Sequence, residues 1–175
     1  MKKLVSLILI CVLLTLSFAA CGKDTYSVPM GMKIASDTEI VDYLLYVPDD
    51  WTVDMRTGVT TAYHSVNDPS NISVTMNASK NPTGGFDEYF EELLSELEQS
   101  FTLVGEVESA NLILANEAAQ QYVYTAEFGG VEYKFWQVVC IHEARVYTIT
   151  YSSTVENYEA HTADMQTALD LFCFI

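Results

Sequence analysis

Two long β-type segments joined by two glycines constrain the fold of this chain more than any other feature. Residues 120–128 and 131–142 are rich in aromatic and β-branched residues, and only Gly129-Gly130 separates them. Both glycines can adopt the positive φ that a two-residue hairpin turn requires. A third extended segment, residues 146–151, follows a short turn. The sequence therefore predicts a meander of three antiparallel strands.

The first half of the chain contains further strand-like segments. Residues 42–47, 51–54 and 59–66 have extended character, and residues 72–79 alternate between apolar and polar side chains. In that last segment Ile72, Val74, Met76 and Ala78 would share the buried face of a half-buried strand.

Two segments have the period of a helix instead. Phe86, Phe90, Leu97 and Phe101 recur at helical spacing with acidic residues between them, which predicts an amphipathic helix. A final helix is expected to begin after Thr154 as its N-cap and to end at Leu171-Phe172. The order of strands, helix, strands and helix predicts an α+β fold in which helices flank an antiparallel sheet.

The charge balance excludes two kinds of partner. The chain has 175 residues, which fits one domain, with 8 Lys+Arg, 24 Asp+Glu and a formal net charge of −16. Beyond residue 20 it retains 6 basic and 24 acidic residues, a net charge of −18. Nucleic-acid binding and electrostatic docking on anionic lipid both need clustered Lys and Arg. We therefore expect no nucleic-acid partner.

The N-terminus has the layout of a bacterial secretory signal. Lys2 and Lys3 precede an apolar run over residues 4–20, which ends in small residues directly before Cys21. This junction resembles the lipobox of bacterial lipoproteins, although Phe18 stands where leucine is usual. A plain signal peptide with a chance cysteine, or an uncleaved anchor, is the alternative.

The lipobox resemblance implies that Cys21 becomes the acylated N-terminus, with palmitate as an acyl chain. The mature protein would be anchored to the bacterial cell membrane and face outside the cytoplasm. Two acyl chains give stable anchoring. We accordingly divide the chain into a signal peptide (1–20), the lipidated cysteine with a flexible tether (21–38) and a folded domain (39–175).

A family resemblance covers about residues 40–175. The segment Leu45–Trp51 (LYVPDDW) is similar to the opening of PsbP-like domains, and Tyr147–Ser153 with the following helix is similar to their last strand and helix. The family's best-known members are extrinsic subunits of photosystem II, and others are bacterial lipoproteins of unassigned role, which this chain resembles. The resemblance implies an α/β/α sandwich and non-enzymatic binding or assembly work.

Few residues suggest chemistry. Cys140 and His142 share one strand face, but a zinc site needs further ligands, and only the fold could bring His64 and His161 to them. A disulfide between Cys140 and Cys173 is left open. Neither a Gly-x-Ser-x-Gly turn nor a phosphate-binding loop is present. We therefore expect no catalytic residues, metal or cofactor.

Aromatic residues crowd the predicted meander, and most of them must belong to the core. Tyr133, Trp136 and Tyr147 are candidates for an exposed interaction surface. Together these features favour a lipid-anchored, extracytoplasmic, non-catalytic binding or assembly module that contacts another cell-envelope protein. The alternative is an envelope small-ligand receptor or enzyme whose site is built from dispersed residues. Whether the acidic surface binds cations stays open.

Overall fold

The computed structural model describes residues 26–54, 59–78 and 85–175. The predicted signal peptide and Cys21 lie outside these residues. Within the described ranges, no helix combines the length and the apolar character that crossing a membrane would require.

A large antiparallel sheet is the centre of the fold. Its strands run in the order β4-β5-β6-β10-β9-β8-β7, and two small sheets pair β1 with β3 and β11 with β2. The strands are β1 (Met32–Ile34), β2 (Tyr43–Leu44), β3 (Tyr46–Pro48), β4 (Thr52–Asp54), β5 (Thr60–Tyr63), β6 (Asn71–Asn77), β7 (Thr102–Leu114), β8 (Glu117–Phe128), β9 (Val131–His142), β10 (Arg145–Thr154) and β11 (Cys173–Phe174). The helices are α1 (Phe86–Leu97) and α2 (Thr162–Leu171), and a 3-10 helix (Tyr158–His161) precedes α2.

The predicted meander of β8, β9 and β10 is confirmed. Gly129 and Gly130 have φ values of 61° and 84°, as the two-residue turn requires. The meander also extends to β7, a strand that is not part of the predicted three. One reason is a bulge between Val104 and Glu108, which contains Gly105 at a φ of 77° and interrupts the alternation of side chains.

The start of the folded part and the start of the final helix both differ from the sequence predictions. Met32–Ile34 pairs with β3, and the buried Ala35 donates its N–H to the carbonyl of Leu45 over 2.8 Å, so the folded part begins before residue 39. At the other end, Thr154 pairs with Tyr133 as the last residue of β10. The final helix therefore begins at Thr162 rather than at Thr154.

The buried face predicted for residues 72–78 is correct only in its first half. Ile72 and Val74 are fully buried, whereas Met76 is 46% exposed. Within the described ranges, β5 pairs with β6 from Asn71 to Val74, and β10 pairs with β6 from Asn71 to Asn77.

Two apolar clusters share the central strands. The α2-side cluster contains Met165, Ala168 and Leu169 of α2 together with strand residues such as Val138 and Ile149. The α1-side cluster contains Tyr89 and Phe90 of α1 with Tyr122, Tyr124, Val139 and Val146. Because successive strand residues point to opposite faces, Val138 and Val139 enter different clusters.

Candidate metal centre

Two histidines and one aspartate meet where β5, the β5–β6 turn and the 3-10 helix come together. His64 follows β5, Asp68 lies in the turn, and His161 ends the 3-10 helix. The turn is closed by backbone hydrogen bonds from His64 to Ser70 (2.9 Å) and from Ser65 to Asp68 (3.1 Å). These bonds fix Asp68 beside the end of β5.

Buried hydroxyl contacts hold the 3-10 helix against that turn. The Ser70 and Ser153 hydroxyls lie 2.7 Å apart and join the start of β6 to the end of β10. Tyr151 donates its hydroxyl hydrogen to the carbonyl of Tyr158 over 2.7 Å, which fixes the 3-10 helix relative to β10. His161 is therefore positioned by contacts that are themselves buried.

The three side chains converge closely. Asp68 Oδ2 lies 3.0 Å from His161 Nε2 and 3.3 Å from His64 Nδ1. The two imidazole rings are 4.4 Å apart between centroids. One ligand atom from each side chain lies within 4.8 Å of the other two, which is close enough for all three to bind one ion.

The Asp68 carboxylate is held in its charged form. Burial raises the pKa of Asp68, but hydrogen bonds from the hydroxyl and backbone N–H of Ser70 and from His161 more than reverse this, and the pKa falls to about 2. The ordinary value is 3.8. Asp68 is therefore an anionic oxygen ligand throughout the physiological pH range.

His161 lies between two carboxylates. Its Nε2 faces Asp68, and its Nδ1 lies 3.0 Å from Asp164 Oδ2 at the start of α2. Only 12% of the His161 side chain is exposed. A histidine whose second ring nitrogen is held by a carboxylate has a fixed orientation, as in many metal-binding proteins.

His64 contributes a nitrogen with unused hydrogen-bonding capacity. Its Nδ1 is buried and, although 3.3 Å from Asp68 Oδ2, makes no hydrogen bond within the described part of the chain. Trp51 is 1% exposed and contacts both rings, at centroid distances of 5.3 Å to His161 and 6.0 Å to His64. The indole thus forms an apolar wall beside the cluster.

The ligand group considered from sequence is not assembled around Cys140. Cys140 is fully buried, and this burial, aided by the charge of Glu117, raises its pKa to about 12, which disfavours a metal-binding thiolate. His142 bonds to Glu117 at 2.8 Å and stacks on Phe174. The fold brings His64 and His161 to Asp68 instead. No disulfide joins Cys140 and Cys173.

Sequence reasoning missed Asp68 as a candidate ligand. It lies in the turn-forming segment 67–71 (NDPSN), where turn chemistry alone explains an aspartate. The decisive neighbour, His161, is 93 positions away in the chain. Only the pairing of β6 with β10 brings the two together, and no local spacing signals that pairing.

The predicted aromatic surface is dispersed. Tyr147 is fully buried and donates its hydroxyl hydrogen to the Asp42 carboxylate at 2.9 Å, so Tyr147 is not available to a partner. Tyr133 and Trp136 are partly buried, and their odd and even positions on β9 place them on opposite faces of the sheet. The three residues do not form one patch.

Trp136 borders a wide groove of about 920 Å³ between α2 and the β7–β8 hairpin. The groove wall combines apolar and polar side chains, and Ile113 in it is 69% exposed. Its residues include Leu112, Ile113, Gln121, Trp136, Leu169 and Phe172. This surface has the size and mixed character of a recognition site.

A smaller cavity of about 80 Å³ lies between α1 and the sheet. It is lined mainly by apolar side chains, including Leu94, Leu97 and Ala126. Two of its lining residues, Tyr124 and Gln137, each have a buried side-chain oxygen with no hydrogen-bond partner in the described structure. The α1 side is therefore less completely packed and paired.

Comparison with known proteins identifies the fold. No protein-family model and no curated protein matches the chain. Cyanobacterial PsbP (CyanoP) from Synechocystis matches with a TM-score of 0.58 and 15% identity, covering 90% of this chain and 99% of that chain. LpqN, involved in cell envelope biogenesis of Mycobacterium tuberculosis, matches with a TM-score of 0.59 and 13% identity over 81% and 89%.

A Pseudomonas aeruginosa protein of unknown function, PA94, is also similar, with a TM-score of 0.53 and 18% identity over 80% of this chain and 94% of that chain. Agreement of this extent at such low identity reports a shared backbone arrangement. The chain has a PsbP-like fold.

Proposed function

We propose that this protein is a lipid-anchored, non-catalytic binding module that faces outside the cytoplasm of a bacterium and contacts another cell-envelope protein. The observation that carries the proposal is the fold shared with LpqN, which is described as involved in cell envelope biogenesis. The predicted signal segment and the lipobox-like Cys21 support the same location.

The arrangement of the sheet supports a display role. Residues of α1 and α2 belong to different apolar clusters, as expected for the α/β/α sandwich that the family resemblance implies. Strand β1 lies within the segment predicted as tether and pairs with β3, so only residues 22–31 separate Cys21 from the first paired strand. A domain fixed in this way would hold its surface at a short distance from the membrane.

We place the partner contact at the groove beside Trp136. An exposed isoleucine and a partly buried tryptophan provide the apolar anchors that protein interfaces favour. The net charge of −18 beyond residue 20 favours a partner with a basic surface, because complementary charge speeds association and disfavours wrong partners. We therefore expect a basic envelope protein.

Site-specific crosslinking in native membranes tests this proposal. A photoreactive amino acid is introduced at Ile113 in the groove or, as the matched control, at Val66, which is fully exposed in the β5–β6 turn. We expect one envelope protein to be captured from Ile113 and not from Val66. A Cys21→Ser variant should reduce that capture, because it removes the predicted anchor.

Three outcomes would contradict the proposal. Capture of the same proteins from both positions would show non-specific contact, and absence of any product from Ile113 would exclude the groove. Unchanged membrane association of Cys21→Ser would exclude the lipid anchor. The small-ligand receptor considered above would then be the better interpretation.

A further inference from the structure

We propose that His64, Asp68 and His161 form a binding site for a divalent transition-metal ion, with zinc as the best-matched ion. The site needs no envelope partner and so goes beyond the proposed function. A tetrahedral zinc with bonds of about 2.0–2.2 Å holds its ligand atoms roughly 3.3–3.6 Å apart. Asp68 Oδ2 is 3.3 Å from His64 Nδ1, which matches this range, and its 3.0 Å separation from His161 Nε2 needs to lengthen by only a few tenths of an ångström.

The donor set selects the class of metal. Calcium and magnesium prefer sites built from oxygen atoms alone. Two imidazole nitrogens and one carboxylate oxygen suit zinc and its neighbours among the transition metals. Three protein ligands also leave a fourth position for water, and the 31% exposure of the His64 side chain provides a route to solvent.

The surrounding residues hold the ligands in place. His161 Nδ1 lies 3.0 Å from Asp164 Oδ2 and its Nε2 lies 3.0 Å from Asp68 Oδ2, so the two carboxylates fix the orientation of the ring. The hydroxyl of Ser70 donates to Asp68 Oδ1 at 2.6 Å and leaves Oδ2 for the ion. Such supporting contacts are typical of metal sites, and their loss costs about 10- to 100-fold in affinity.

Metal binding at this site must replace an existing contact. Without an ion, His161 Nε2 and Asp68 Oδ2 are paired with each other at 3.0 Å. A metal ion bound between them would take the place of the proton in that hydrogen bond and release it to solvent.

Calorimetric titration of the full chain in detergent with zinc chloride tests the site. We expect His161→Gln and His64→Gln to weaken zinc binding by at least about 100-fold, and Asp164→Asn by about 10-fold. The matched control is His142→Gln, which alters the histidine outside the cluster and should bind zinc as the unaltered protein does. A large excess of calcium should leave zinc binding unchanged.

Nuclear magnetic resonance of the unaltered protein gives a readout that does not depend on whether the variants fold. Zinc should shift the ring signals of His64 and His161 and leave those of His142 in place. Unmoved signals from His64 and His161 would overturn the proposal. Zinc binding to His64→Gln and His161→Gln that is as strong as binding to the unaltered protein would also overturn the proposal, because such binding would come from the acidic surface.

Discussion

The α2-side and α1-side clusters use opposite faces of the same strands, but they differ in size and in the pairing of their buried polar groups. Among the described residues, the α2-side cluster contains 20 buried apolar residues and the α1-side cluster contains 6. The α2 side pairs its buried tyrosine hydroxyl at Tyr151, whereas the α1 side has a cavity and leaves the Tyr124 hydroxyl unpaired. Stability should therefore depend mainly on the α2 side.

The largest expected difference is between two helix leucines. Leu169→Ala on α2 removes a side chain that is only 6% exposed and should lower the free energy of unfolding by about 2–4 kcal/mol. Leu94→Ala on α1 removes a partly buried side chain that already borders a cavity, and should cost about 1 kcal/mol. Urea unfolding of both variants measures the difference. Equal losses of unfolding free energy would show that stability does not depend mainly on the α2 side.

Enlarging an alanine should have opposite signs on the two sides. Ala168→Leu forces extra volume into the α2-side cluster, where Ala168 is fully buried, and should destabilise the protein by about 1–3 kcal/mol. Ala126→Leu places the same side chain in the wall of the α1 cavity and should be neutral or stabilising by about 1 kcal/mol. Thermal unfolding compares the two, and a large loss from Ala126→Leu would indicate that α1 already packs tightly.

Removing a tyrosine hydroxyl separates paired from unpaired groups. Tyr151→Phe deletes the donor to the Tyr158 carbonyl and should cost about 1–2 kcal/mol, because it leaves a buried acceptor unsatisfied. Tyr124→Phe deletes a hydroxyl that has no partner in the described structure, and should be neutral or slightly stabilising. A loss in Tyr124→Phe equal to that in Tyr151→Phe would show that a bound water or ligand satisfies Tyr124.

Protonation of Asp68 in acid should lower the free energy of unfolding. Because the pKa of Asp68 is lowered from 3.8 to about 2 in the folded chain, its contribution is present above pH 4 and is lost as pH falls toward 2. We expect about 1 kcal/mol, less than the full shift would give, since the carboxylate is partly screened by solvent. Urea unfolding at several pH values measures this contribution. In Asp68→Asn the free energy of unfolding should depend less on pH between 4 and 2, and an unchanged pH dependence would contradict the role given to Asp68.

The sequence predicted local features better than it predicted the contacts between distant segments. The Gly129-Gly130 hairpin could be predicted because its turn chemistry and both strands are contiguous. The pairing of Met32–Ile34 with β3 could not, since three residues next to a polar segment give no periodic signal. His161 and Asp68 are close because β6 lies beside β10, a neighbour that sequence order does not indicate.

The position of β6 beside β10 also has a kinetic consequence. Strands β7 to β10 follow one another through two-residue turns and pair with their sequence neighbours, so they can form from local contacts. β6 must instead find a partner whose residues are 69 to 81 positions later, as for Asn77 with Val146 and Asn71 with Ser152. Closing so long a loop is slow. Strand β6 therefore has an unpaired edge until β10 is available to pair with it.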